Sequence, residues 1–269
     1  FYFFPIFPEE TSLEISIENE EVLGDLLVEE VLYNSPDFII LSNPTLDSAF
    51  DQITSRLLDS IGLTDYEYNI QIVENEQINA FTLPGGNIFV YSGLIDFAES
   101  PEEVAAVLSH EIGHVEKRHV VSRLIKEFGL NIIFSIATGG DGVILGELSR
   151  TALSTVFDRH QEKEADLYGL ELMVRAQISP SALAVFFRRI KREMGDYSDL
   201  FEIFNSHPNS NSRIKASLEH PVPEGFKAIE FDMDWKRVQA SLTWESEMNT
   251  EVDSDINRDT TVYKVEPAE

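Results

Sequence analysis

Residues 100–129 read SPEEVAAVLSHEIGHVEKRHVVSRLIKEFG, and the rest of the chain is best read outward from them. Ser100 before Pro101, with Glu103 three positions after the serine, is the signature of a capped helix start. Gly129 is a stop signal. The spacing predicts one helix over 101–128 that carries both His110 and His114. Residues four apart project from one helix face, one turn apart, so two imidazoles can reach a single ion. Glu111 lies beside that face, where a carboxylate can hold a water at the metal and act as general base. A bare match of this kind is suggestive only, the alternative being a polar helix whose histidines are satisfied by neighbours, and the helical placement favours the metal reading. His119 falls about 140° away from His114 on a continuous helix, and it and His160 are expected to be structural or solvent-exposed.

Composition narrows the alternatives. The chain of 269 residues has no cysteine, so thiolate metal sites, disulfides and cysteine nucleophiles are excluded, and any metal must be held by His, Asp or Glu. Forty-eight acidic residues against 20 basic ones give a net charge of −28, which repels phosphate backbones and excludes nucleic acid as an expected partner. The first 60 residues hold thirteen acids and a single base, Arg56. No apolar run approaches the ~18–20 residues that cross a bilayer. The chain opens with FYFFPIFPEE and no initiator Met; this is read as a sign that a signal or anchor was removed upstream, with membrane association through that segment.

A catalytic zinc needs a third protein ligand and an open position. RHQEKEADLYG, residues 159–169, offers Glu162, Glu164 and Asp166. Glu162 and Asp166 share a helix face at i and i+4, while Glu164 points elsewhere. One of the pair can bind metal while the other accepts the second N–H of a ligand histidine. Spacing does not say which does which.

The remaining elements frame these motifs. Residues 8–35 and 45–62 read as helices, and 67–73 as a strand. Two β-prone runs flank Pro84-Gly85-Gly86 in NAFTLPGGNIFVYSG, residues 79–93, as in a hairpin or tight kink. A long helix is expected from about 143 to 176, another after Ser179-Pro180, and a short one over 208–219. Residues 250–269 read as loosely attached or disordered.

HEIGH at 110–114, EKEAD at 162–166 and SHPNSNSRI at 206–214, preceded by NAFTLPGGNIFVYSGLI, occur in that order. Together they resemble the HtpX and CAAX-prenyl-protease family of zinc metallopeptidases, most closely its soluble BepA-like envelope members. The likeness covers about 45–220. It implies one Zn²⁺ per chain on His110, His114 and Glu162, with Asp166 supporting a ligand histidine. It places His207 near the metal, either stabilising the oxyanion or capping the zinc in a resting form, and Arg213 near the site; Glu111, His207 and Arg213 are then the catalytic set.

The implied architecture is α+β: a mainly helical zincin-type domain with a small antiparallel sheet. Its edge strand, Asn79, Ala80, Phe81 and onward to Leu83, borders the cleft and can pair with an extended peptide. Residues 1–44 are expected to be an acidic N-terminal extension, 45–220 the peptidase domain and 221–269 an acidic C-terminal extension. The implied function is endopeptidase action on misfolded or unassembled polypeptides in the bacterial cell envelope, periplasmic or membrane-anchored. The alternative is a latent or chaperone-like protein of the same fold with the fourth metal position blocked. Two departures from the family stand out. Asp158-Arg159 replaces the Ser-Arg that relatives often carry, and the membrane-spanning helices of HtpX-type members are missing, so integral-membrane or prenylated substrates are not implied.

Overall fold

The computed structural model describes residues 15–34, 38–137, 142–154, 156–193, 210–242 and 262–263. The aromatic opening FYFFPIFPEE, His207, residues 243–261 and residues 264–269 lie outside them. Helices α1 (Ile17–Asn34) and α2 (Pro44–Leu58) precede strands β1 (Tyr68–Val73), β2 (Ala80–Leu83) and β3 (Asn87–Tyr91). Then come α3 (Ser92–Phe97), α4 (Pro101–Glu116), α5 (His119–Phe128), α6 (Leu130–Ala137), α7 (Gly142–Leu153), α8 (Arg159–Arg175) and α9 (Ser181–Glu193). Two short helices, α10 (Ser210–Glu219) and α11 (Trp235–Ala240), and a two-residue strand β4 (Val262–Tyr263) complete the described chain.

The mainly helical α+β architecture is as expected, but the sheet is mixed rather than antiparallel. Its order is β2-β3-β1-β4. The hairpin β2-β3 is antiparallel, whereas β1 and β3 run parallel, with Ile70 opposite Ile88 and Ile72 opposite Val90. Gly85 and Gly86 close the hairpin at φ 75° and 82°, a left-handed pair that glycine adopts without steric cost. β2 is the edge strand.

Helices cover both faces of this sheet, so the strands are apolar on both sides. Ala80, Ile70, Ile72, Ile88 and Val90 face one core with α2, α4, α8 and α9. Phe81, Leu83, Phe89 and Tyr91 face a second core with α1, α5, α6 and α7. There Phe81 stacks on Phe89 at 5.1 Å between ring centroids. Each fully buried aliphatic or aromatic side chain contributes roughly 1.5–3 kcal/mol of transfer free energy. Both acidic flanks take part: α1 supplies Leu23, Leu27 and Val31 to the second core, and Trp235 of α11 is buried with Nε1 donating to the Ala98 carbonyl at 2.7 Å. Arg56 clamps α2 to the end of α8 by donating to the carbonyls of Ala176, Gln177 and Ile229. Among the described residues no helix is long and apolar enough to cross a membrane.

Two helices expected to be continuous are broken. The helix expected over 101–128 is two: α4 ends at Glu116, Arg118 takes left-handed backbone (φ 55°, ψ 34°), and α5 starts at His119. Ser100 does sit at the N-cap, but its side chain caps nothing. Glu103 instead accepts from the Glu99 N–H and pairs with buried Arg189, so the capping box does not form. The helix expected over 143–176 is interrupted between Leu153 and Arg159. Asp158 restarts it, accepting from the N–H groups of His160 and Gln161, while Gln161 returns a bond to the Asp158 N–H. The residue that departs from the family pattern is therefore a helix cap.

Candidate metal centre

α4 and α8 carry the candidate residues, and two glycines let their backbones touch. A Cβ on Gly113 would lie 2.6 Å from the Ala165 carbonyl oxygen, and one on Gly169 would lie 2.8 Å from that of Ser109. Any larger residue at either position forces the helices apart. This approach sets Glu162 and Asp166, one turn apart on α8, against His110 and His114, one turn apart on α4.

The three expected ligands converge. The Nε2 atoms of His110 and His114 are 3.0 Å apart. Glu162 Oε1 lies 3.3 Å from His114 Nε2, and Oε2 lies 3.8 Å from His110 Nε2. All three side chains are buried, and their ligand atoms lie within 4.8 Å of one another. Tetrahedral ligands at the usual zinc bond length of about 2.0–2.1 Å are spaced about 3.3 Å apart. Two imidazoles and one carboxylate without thiolate are a donor set suited to catalytic zinc, so the residues present fit the ion.

Asp166 accepts from His110 Nδ1 at 3.0 Å. Burial alone would raise its carboxyl, but the Arg213 guanidinium and the hydrogen bonds from His110 and Arg213 outweigh burial and hold it below the usual aspartate value. Arg213 donates through Nε to both Asp166 oxygens, at 2.9 and 3.0 Å, and its Nη1 lies 3.2 Å from Glu162 Oε2. Its guanidinium packs over the Phe187 ring. Arg213 is thus deeply buried behind the ligands, tied to the two carboxylates it orients. The residue expected in the catalytic set contacts both carboxylates of the cluster.

Glu111 is fully buried, and Thr82 on β2 donates to its Oε2 at 2.8 Å. Thr82 went unnoticed in the sequence, although strand alternation puts it with Ala80 on the face that meets α4. The edge strand does flank the site: Tyr91 donates to the Asn79 carbonyl at 3.0 Å, extending the hairpin, and Phe81 turns to the opposite face. His160 is exposed and pairs with Glu164, as expected. His119 is the larger surprise. It is buried, its Nδ1 lies 2.9 Å from His114 Nδ1, and Phe157 covers His114 at 3.8 Å between ring centroids. Burial pushes the His119 pKa down to about 4, against the opposing pull of Glu164, so the ring is neutral at neutral pH.

A model of peptidase family M48 matches residues 44–221. Among relatives, the mitochondrial metalloendopeptidase OMA1 of Schizosaccharomyces pombe is 27% identical over 216 residues, covering 78% of this chain and 63% of that protein. The beta-barrel assembly-enhancing protease of Yersinia pestis is 26% identical over 213 residues, covering 74% of this chain and 43% of the relative. The metalloprotease LoiP of Escherichia coli is 33% identical over 167 residues, 59% of this chain and 65% of LoiP. The matched region spans less than two thirds of each of these proteins.

Proposed function

This chain belongs to peptidase family M48, and from that premise we propose that it is a zinc-dependent endopeptidase acting on misfolded or unassembled polypeptides. The observation that carries the reading is the convergence of His110, His114 and Glu162 with Glu111 beside them. His110, His114 and Glu162 would hold the zinc. When bound, zinc polarises the scissile carbonyl and lowers the pKa of an attacking water.

The chain's own residues do the rest. Glu111 takes the proton of the water as it attacks and returns it to the leaving amine. Thr82 donates to one oxygen of Glu111 and so orients the carboxylate. Asp166 and Arg213 hold the His110 ring and the Glu162 carboxylate in register. The outer edge of β2, two residues from the Thr82–Glu111 contact at Ala80, is where an extended substrate would add a strand. His207, expected at the oxyanion or on the metal, lies outside the described residues. The relatives named for beta-barrel assembly favour a bacterial envelope setting, periplasmic or membrane-anchored.

The test is Glu111→Gln. Positioned general-base catalysis contributes about 10²–10⁴-fold, so cleavage of an unfolded polypeptide should drop by at least about 100-fold while zinc stays near one per chain. Cleavage that persists in the zinc-loaded variant overturns the mechanism.

A further inference from the structure

We propose that His119 is a positioning residue of the metal centre, holding His114 as Asp166 holds His110; this rests on the reading of His110, His114 and Glu162 as zinc ligands. On a continuous helix His119 would point well away from His114. The break at Arg118 turns it back. Arg118 sits in left-handed backbone, which a side-chain-bearing residue adopts only when its surroundings hold it there. They do: Arg118 Nε donates to Glu20 Oε2 at 2.7 Å, and Nη2 donates to the Ile15 carbonyl at 2.7 Å. α1 and the residues just before it thus fix the turn from which α5 starts with His119.

The two nitrogens of His114 then have separate tasks. Nε2 faces His110 Nε2 and Glu162, the metal side. An imidazole that gives Nε2 to a metal carries its proton on Nδ1, and that N–H needs an acceptor. His114 is fully buried, and His119 Nδ1 is placed 2.9 Å away to accept it. With Nδ1 accepting, the N–H of His119 is on Nε2, which faces Glu164 Oε2 at 3.6 Å. Glu164 also takes His160 at 2.9 Å, so the carboxylate that spacing turned away from the metal anchors the far end of this relay. The two ligand histidines are held differently: one by a buried anion locked to Arg213, the other by a second imidazole.

The experiment is zinc affinity by competition with a chromophoric chelator, on the full chain and three variants. Loss of an outer partner of a ligand histidine costs 10–100-fold in metal affinity, and His119→Phe, which keeps the ring but removes the acceptor, should weaken zinc by that factor. His119→Asn puts Oδ1 where Nδ1 stood and should recover affinity to within about threefold of wild type, whereas His119→Gln, with its oxygen one bond further out, should not. Thermal unfolding of the zinc-free variants separates a lost fold from a lost contact. If His119→Phe fails to fold, the Asn and Gln pair decides alone. Wild-type affinity in His119→Phe, or equal recovery by Asn and Gln, overturns the assignment. A wild-type chain that takes up no zinc overturns the ligand reading beneath it, a result distinct from either.

Discussion

Arg213 and Arg118 each tie a buried carboxylate to a distant part of the chain, and the two clusters leave those carboxylates in opposite conditions. At the metal centre, Arg213 meets both oxygens of Asp166 and also reaches Glu162, all three side chains being buried. Asp166 is held below the ordinary aspartate value. At the α1 latch, Glu20 takes Arg118 on one oxygen and the Tyr66 hydroxyl on the other. Burial outweighs Arg118 and Tyr66 there, and the Glu20 carboxyl is raised above its usual value. Arg118 is 22% exposed against 3% for Arg213, so water screens part of its charge. The first arrangement keeps an anion ready to accept from an imidazole. The second fixes a backbone turn and tolerates a carboxylate whose charged form burial disfavours.

The largest expected difference between the clusters comes from removing the arginines. Arg213→Met leaves Asp166 and Glu162 buried without a cation, and breaking a buried pair costs about 3–5 kcal/mol. Zinc held by Glu162 would offset its charge, so the loss should be greatest in the metal-free protein. Denaturant unfolding with and without zinc checks this. A metal-free Arg213→Met chain as stable as wild type would show that the cluster holds nothing.

A smaller effect is expected at the latch, because Glu20 can take a proton when its partner goes. Arg118→Ala loses the pairing and keeps the left-handed strain; Arg118→Gly loses the pairing and is freed of it. Left-handed backbone costs a residue with a side chain about 1–2 kcal/mol, so the Gly variant should be the more stable of the two by about 1 kcal/mol. Equal unfolding midpoints would mean that the turn relaxes once Glu20 lets go.

The candidate residues were legible because their pairing is local, although spacing left open which of Glu162 and Asp166 would bind metal and only the family resemblance chose Glu162. His110 and His114 at i and i+4, and Glu162 and Asp166 at i and i+4, occupy single helix faces whatever the rest of the fold does. What escaped the sequence depends on partners far along the chain. Arg118 carries no stop signal of its own; its left-handed turn exists because Glu20 and Ile15 hold it. Without the break, His119 is correctly placed off the ligand face, and with it the residue faces His114. Ser100 and Glu103 have the spacing of a capping box, but Arg189 competes for the glutamate. The parallel pairing of β1 with β3 is equally non-local, since a strand's alternation says which residues face a core and not which neighbour it joins.

The least of the expected effects separates the clusters by sign. A carboxyl raised in the folded state contributes stability that is fully present below its unfolded value and lost as pH rises through the folded value. Glu20 is raised from 4.5. Wild type should therefore gain on Glu20→Gln as pH falls from 7 toward 4.5. Asp166 is lowered from 3.8, so its contribution is present above 3.8 and lost only as pH falls through the lower folded value. The gap between wild type and Asp166→Asn should stay flat over the same range. Buried His119, neutral in the fold, costs stability on acidification, but that cost is shared by wild type and both variants and cancels in the differences. Denaturant unfolding of the three metal-free proteins at pH 7, 6, 5 and 4.5 gives both curves. A Glu20→Gln gap that shrinks on acidification would mean that Arg118 and Tyr66 outweigh the burial of Glu20, and that the latch is a second charged lock like the one at Arg213.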